Sequence, residues 1–125
     1  PDAALLRVNL GQTLIGLDDP RKVEEGIGEL KRSLINEGDN AVAWRLLAQA
    51  YDKLGQPGPA RLATAEQYFA MGAPQEARVF AMRARELLKK DTPDWRRATD
   101  IVLTSKPSDQ DLKDLAKEGS TTFQR

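Results

Sequence analysis

Ala43-Trp44-Arg45-Leu46-Leu47-Ala48-Gln49-Ala50-Tyr51-Asp52-Lys53-Leu54-Gly55 is the stretch that decides the fold. Trp44, Leu47, Ala48 and Tyr51 fall on one face of a 3.6-residue helix, with Leu54 one step further. Asn40 precedes the run and can cap the helix start. Gly55 can take the left-handed conformation that stops it, and Gly72 can do the same for a later segment. Tyr68 lies 17 residues beyond Tyr51, Gly72 lies 17 beyond Gly55, and Ala77 lies 17 beyond Ala60. Trp95 lies 51 beyond Trp44, three times that interval. A fixed offset of this length fits one helix plus one turn, repeated along the chain.

Working outward, breakers at Asp18-Asp19-Pro20, Gly38-Asp39-Asn40, Gly55 to Pro59, Gly72-Ala73-Pro74, Asp91-Thr92-Pro93 and Ser105 to Ser108 cut the chain into helix-length pieces. Each piece carries an apolar stripe. Leu6, Leu10, Leu14 and Leu17 form the first, and Val23, Ile27, Leu30 and Leu34 the second. Leu62, Ala65 and Phe69 mark the fourth piece, and Ala77, Phe80, Ala81, Ala84 and Leu88 the fifth. Trp95, Ala98, Val102 and Leu103 mark the sixth. Thr92 can cap a helix whose first residue is Pro93, where no backbone N–H is needed. No segment alternates as a strand would. The expected fold class is all-α, a right-handed α-solenoid of about six antiparallel helices in about three pairs. Residues 1–104 form the repeat domain. Residues 105–125 are expected to hold a short helix at Asp109 to Lys117 and a disordered end after Gly119.

Composition narrows the chemistry. The 125 residues include 19 Lys+Arg, 19 Asp+Glu, no His and no Cys. A His- or Cys-ligated metal, a thiol nucleophile, a Ser-His-Asp triad and a disulfide framework are therefore excluded within these residues. Zero formal net charge gives no global pull toward nucleic acid or anionic lipid, so neither is expected as a partner. No apolar run approaches the roughly 20 residues of a membrane span, so no membrane insertion is expected. The chain opens on Pro1 and reads as a domain of something longer.

The register fits the tetratricopeptide (TPR) repeat, W-x2-L-G-x2-Y followed by A-x3-F and P, whose period is 34 residues. Trp44, Leu47, Ala48 and Tyr51 fill its first half, Gly55 its turn and Ala60 the small position opening the next helix. Leu10, Gly11 and Leu14, then Gly26, Leu30 and Ser33, form an earlier copy with a turn about three residues longer. Ala65, Tyr68, Gly72, Ala77 and Ala84 match in a frame shifted by half a repeat. More narrowly, Ala43 to Tyr51, Leu54-Gly55, Ala63 to Tyr68, the opening Leu5 to Leu10 and Pro93 to Trp95 resemble one group of proteins. These are the C-terminal TPR regions of bacterial BepA-like zinc-dependent metalloproteases. The resemblance implies a non-catalytic periplasmic module that binds a protein or peptide partner, or the parent's own protease domain. Any zinc and its H-E-x-x-H motif would lie in that other domain, so no cofactor is expected in this chain. The alternative is a free-standing cytoplasmic TPR adaptor unrelated to proteolysis.

TPR stacks present a groove lined by the first helix of each pair. Here that groove is expected to carry Leu5, Val8, Gln12 and Ile15, then Val42, Arg45, Gln49 and Asp52. Such a groove takes an extended peptide or a helix. Arg45 reads either as a two-pronged carboxylate contact or as a solvated residue. Arg78, Arg85 and Lys89 share a face, read as a solvated outer surface because Glu76, Glu86, Asp91 and Asp94 intervene. Trp44 and Trp95 sit at repeat positions and read as core. Asp18-Asp19 with Glu24-Glu25 lack Ca²⁺-loop spacing and read as a turn and a helix start. Glu66, Asp52 and Asp100 form no legible catalytic dyad.

Overall fold

The computed structural model describes the backbone of residues 2–123 and the side chains of residues 3–117. It is all-helical, with no strand among the described residues. The order is α1 Asp2–Gly16, α2 Pro20–Asn36, α3 Ala41–Lys53, α4 Pro57–Ala70, α5 Pro74–Leu87, α6 Pro93–Thr104 and α7 Asp109–Phe123. From α1 to α6, each helix packs on the one before it, as in a solenoid.

The 17-residue interval is a repeated turn. After α3, Gly55 donates to the Asp52 carbonyl and Gln56 to the Tyr51 carbonyl. After α4, Gly72 donates to Phe69 and Ala73 to Tyr68 in the same pattern. This pair of bonds is the Schellman motif, which places the intervening residue in the left-handed region. Gly55 and Gly72 take it, at φ 69° and 75°. A proline then opens each following helix, at Pro57 and Pro74. The helix starts carry the expected side-chain caps: the Asn40 side chain accepts from the Ala43 N–H, and Thr92 accepts from that of Trp95. Asp19 does the same for α2, accepting from Arg21.

Two apolar clusters form. One joins Val8 and Ile15 of α1, Val23, Ile27 and Leu30 of α2, the buried face of α3, and Ala63 of α4. The other joins Leu62 and Ala65 of α4, Ala77, Ala81 and Ala84 of α5, and Ala98, Ile101 and Val102 of α6. α4 therefore feeds both. The pairing shows why. α1 also touches α3, and α4 also touches α6, whereas α2 does not pack on α4 nor α3 on α5 among the described residues. α4 thus closes the frame begun by α1 and α3 and opens a second frame with α5 and α6.

α1 is turned away from the expected face. Ala4, Val8, Gly11 and Ile15 are its buried positions, while Leu6, Leu10 and Leu17 are 67%, 48% and 46% exposed. Small residues decide this. A Cβ on Gly11 would lie 2.9 Å from Leu30 Cγ, and one on Gly26 would lie 2.9 Å from the Gly11 carbonyl oxygen. The two backbones meet at Gly11 and Gly26, and that crossing sets the rotation of α1. Val8 and Ile15 are consequently core residues and cannot line a groove. On α6, Ile101 is fully buried where Leu103, 52% exposed, had been placed in the stripe. α7 continues through Phe123, past the expected helix end at Lys117 and the expected disorder after Gly119. Within a helix, Gly119 costs only about 1 kcal/mol relative to Ala and need not stop it. Residues 124 and 125 of the expected tail lie outside the described residues.

Gly26→Ala is expected to lower stability by about 1–3 kcal/mol, because its methyl would meet backbone rather than a yielding side chain. Gly28→Ala, on the same helix, meets only the Arg32 guanidinium at 3.8 Å. It should stabilise by up to about 1 kcal/mol through helix propensity. Urea melts of the two variants check the contrast, and equal midpoints would contradict the close crossing.

Candidate functional site

An apolar concavity that carries polar groups lies where the two clusters meet. It is a cleft of about 290 Å³ between α2, α3, α4 and α6. Its apolar walls include Leu34, Trp44, Leu47, Tyr51, Leu62 and Ala63, and its charged groups are Lys31, Glu66, Asp94 and Arg97. Of the α3 residues, Trp44 and Tyr51 are half-buried and Leu47 is buried. Trp44 is fixed by an indole N–H bond of 2.8 Å to the Gly38 carbonyl. The Lys31 ammonium sits 5.8 Å from the centre of the Tyr51 ring, within cation–π range.

Glu66 and Arg97 form the ordered polar edge. Arg97 Nε donates to Glu66 Oε2 at 2.9 Å and Nη2 donates to Oε1 at 2.7 Å. This fork geometry fixes both groups. Glu66 is 9% exposed and Arg97's guanidinium also lies 5.6 Å from the Phe69 ring. The hydrogen bond from Arg97 to Glu66 raises the Arg97 pKa above its ordinary value, against an opposing effect of burial. The guanidinium therefore stays charged at every working pH. The pair couples α4 to α6 and holds one wall of the cleft. Nothing in it resembles an acid–base dyad: both carboxylate oxygens are already occupied.

The expected groove residues separate. Val42, Arg45, Gln49 and Asp52 are exposed and lie along one strip of α3. Leu5 and Gln12 are exposed on α1, the helix that α3 touches. Val8 is missing from that surface, being buried. Asp52 is engaged by Arg61 at 3.7 Å, and Arg45 has no ion-pair partner within 4 Å among the described residues.

The basic face of α5 is not a solvated surface. Arg85 is 6% exposed, donates to Thr99 Oγ1 at 2.8 Å and stacks 4.5 Å from the Trp95 ring centre. Arg78 Nη1 donates to the carbonyls of Ser105 and Lys106 at 2.9 and 3.1 Å, and Nε lies 3.2 Å from Asp111. A cation at these last carbonyls favours the α6 dipole. A local charge pattern does not reveal these contacts, because the partners lie 10 or more residues away. Trp95, expected in the core, is half-buried against the Arg85 guanidinium and belongs to neither apolar cluster.

Several residues of the cleft were not singled out from sequence. Lys31, Pro59, Asp94 and Arg97 carry no motif. The one usable signal was the half-shifted frame, which makes α4 and α6 equivalent neighbours and so brings Glu66 beside Arg97. Among the described residues, no group of three or more Asp or Glu is arranged to hold a metal ion, and no helix is long and apolar enough to cross a membrane. Comparison with known proteins returned neither a matching family model nor a matching curated protein.

Asp111 gives this region a pH dependence. Hydrogen bonds from the Ser108 N–H and hydroxyl, with a smaller contribution from Arg78, hold its carboxyl below the ordinary value. A depressed folded-state pKa contributes stability that is present above the unfolded value of about 3.9. That contribution is lost as pH falls through the folded value. Asp111→Asn should therefore make the acid limb of the stability curve below about pH 4 shallower. Thermal melts across pH 2–7 check it.

Proposed function

We propose that the chain is a non-catalytic helical-repeat module that binds a segment of another protein. The anchoring step is insertion of an apolar side chain of that segment into the cleft between α2, α3, α4 and α6. The observation that carries this reading is the cleft itself: aromatic and aliphatic walls around about 290 Å³, with fixed charges at the mouth. Sites for drug-sized molecules begin at roughly this volume, so the cleft suits one or two side chains better than a cofactor. Lys31 on one rim and Asp94 on another offer contacts of both signs to the backbone or flanking residues of the bound segment. The exposed α3 strip bearing Arg45 extends the contact surface. In TPR terms, the repeat signature supplies Trp44, Leu47 and Tyr51 both to the fold and to the site. The likeness to BepA-like proteases supplies the setting: a periplasmic zinc protease domain outside these residues, for which this module holds a substrate or an assembly partner.

Selection from a displayed random peptide library tests the binding role. Selected peptides should share a large apolar anchor. Lys31→Trp or Leu34→Trp, which fill the cleft from its exposed and half-buried rim, should weaken them roughly tenfold or more while the helical circular dichroism is kept. Failure to select any peptide, or peptides indifferent to both substitutions, would remove the cleft as the site. The protease setting has its own test: a coding sequence joined in frame to an H-E-x-x-H domain is expected, and its absence leaves the free-standing adaptor.

A further inference from the structure

Four charged side chains line the cleft between α2, α3, α4 and α6, and two of them are committed to each other. Arg97 gives Nε and Nη2 to the two oxygens of Glu66. Asp94 lies three residues before Arg97, a spacing at which the two could otherwise pair along α6. The fork with Glu66 holds the guanidinium on α4 instead. Asp94 is left exposed, with no ion-pair partner within 4 Å among the described residues. Lys31 is unpaired for a different reason. Ile27, Gly28, Leu34 and Ile35 occupy the positions three and four residues from it on α2, so no carboxylate stands beside it on its own helix. Its ammonium lies by the Tyr51 ring and in no ion pair within 4 Å among the described residues. Exposed charges elsewhere do pair, as Lys22 does with Glu25, Arg32 with Glu29 and Arg61 with Asp52.

An unpaired cation and an unpaired anion thus line one apolar space, and they stand at opposite edges of it. α2 packs on α3, α3 on α4 and α4 on α6, whereas α2 packs on neither α4 nor α6 among the described residues. Lys31 of α2 and Asp94 of α6 are therefore separated by the α3–α4 pair, whose axes lie roughly 8–10 Å apart. An extended chain covers that distance in about three residues.

We propose that the cleft selects a segment of mixed charge: a large apolar anchor with an acidic residue on one side and a basic residue on the other, each within about three residues of it. This rests on the reading of the cleft as a peptide site and names the chemistry of its partner. The anchor enters between Trp44, Tyr51 and Leu62, the acid meets Lys31 and the base meets Asp94. Affinity comes mainly from the anchor, because exposed ion pairs contribute little. Specificity comes from the two edges. A uniformly acidic segment meets a like charge at Asp94, and a uniformly basic one meets a like charge at Lys31. Glu66 acts through Arg97 as a positioning residue, since it keeps the guanidinium from neutralising Asp94.

Sequencing displayed random peptides selected on the whole chain provides the test, counting only peptides that Leu34→Trp blocks. These occupy the cleft, and they should carry opposite charges on the two sides of the anchor. A synthetic copy of one such peptide, with its acidic residue changed to Lys, should bind the wild-type chain about fivefold more weakly in about 50 mM salt and recover on Lys31→Glu. Asp94→Asn should remove the preference for the basic residue and leave that for the acidic one. Both positions are exposed, so the variants should keep their melting temperature, which is checked in parallel. Blocked peptides with no charge pattern, with one sign on both sides, or with a pattern that neither substitution alters overturn the proposal and leave the cleft as a site for an apolar anchor alone. Selection that yields no blocked peptide removes the cleft itself, and the proposal with it.

Discussion

Close approach of helix backbones at small side chains is the constraint on which this molecule depends. With only 6% aromatic residues, the chain cannot fill wide interhelical gaps. It narrows them instead. Ala43, Ala50, Ala60, Ala65, Ala77, Ala81, Ala84 and Ala98 are all fully buried. Gly11 and Gly26 carry the principle further, bringing α1 and α2 together where even a methyl group would collide with backbone. Gly58 repeats it on a smaller scale, where a Cβ would lie 2.9 Å from Leu88 Cδ2. Leucine and isoleucine then fill what remains between neighbouring crossings, at the density expected of a protein interior.

This constraint explains which parts of the fold the sequence announces. The caps at Asn40 and Thr92, the left-handed glycines at 55 and 72, and the interval of 17 are local chemistry, and each recurs in space as read. The rotation of α1 is different. Leu5, Leu6, Leu10, Leu14 and Leu17 cover so much of that helix that hydrophobic periodicity alone cannot choose a face. Gly11 chooses it, and its effect depends on Gly26, fifteen residues away and on another helix. The charged groups follow the same rule. Arg78 and Arg85 read as surface from their neighbours in sequence, and Arg97 carries no local signal. They are drawn in by Asp111, Thr99 and Glu66, which only the stacking brings near. Of the expected groove, the exposed α3 strip could be read from a single helix. The cleft could not, since four helices contribute to it.

The half-repeat shift ties fold to site. In an unshifted array, successive first helices would touch one another along the whole stack. Here α3 does not pack on α5 among the described residues, and α4 serves α3 through Ala63, α5 through Ala65, and α6 as well. A helix with two buried faces has little polar surface left. Its buried carboxylate at Glu66 needs a partner, and α6 supplies it through Arg97. Because α4 and α6 are drawn together while α2 stays apart from α4, half-buried Trp44 and Tyr51 are left with an opening on one side. The cleft is thus a direct consequence of the change of frame.

The same logic governs the ends. A repeat array buries each helix against two neighbours, so the first helix always has one face that its own array cannot cover. Proteins close such a face with polar residues when it is to remain in water. α1 instead leaves Leu6, Leu10 and Leu17 outward. At the other end, α7 brings Leu115 to the last cluster and is tied down by the Arg78–Asp111 pair, leaving Leu112 outward. One end of the stack is therefore held by charge and hydrogen bonds at Arg78, the other by the Gly11–Gly26 crossing and the bond from Lys53 to the Ile15 carbonyl.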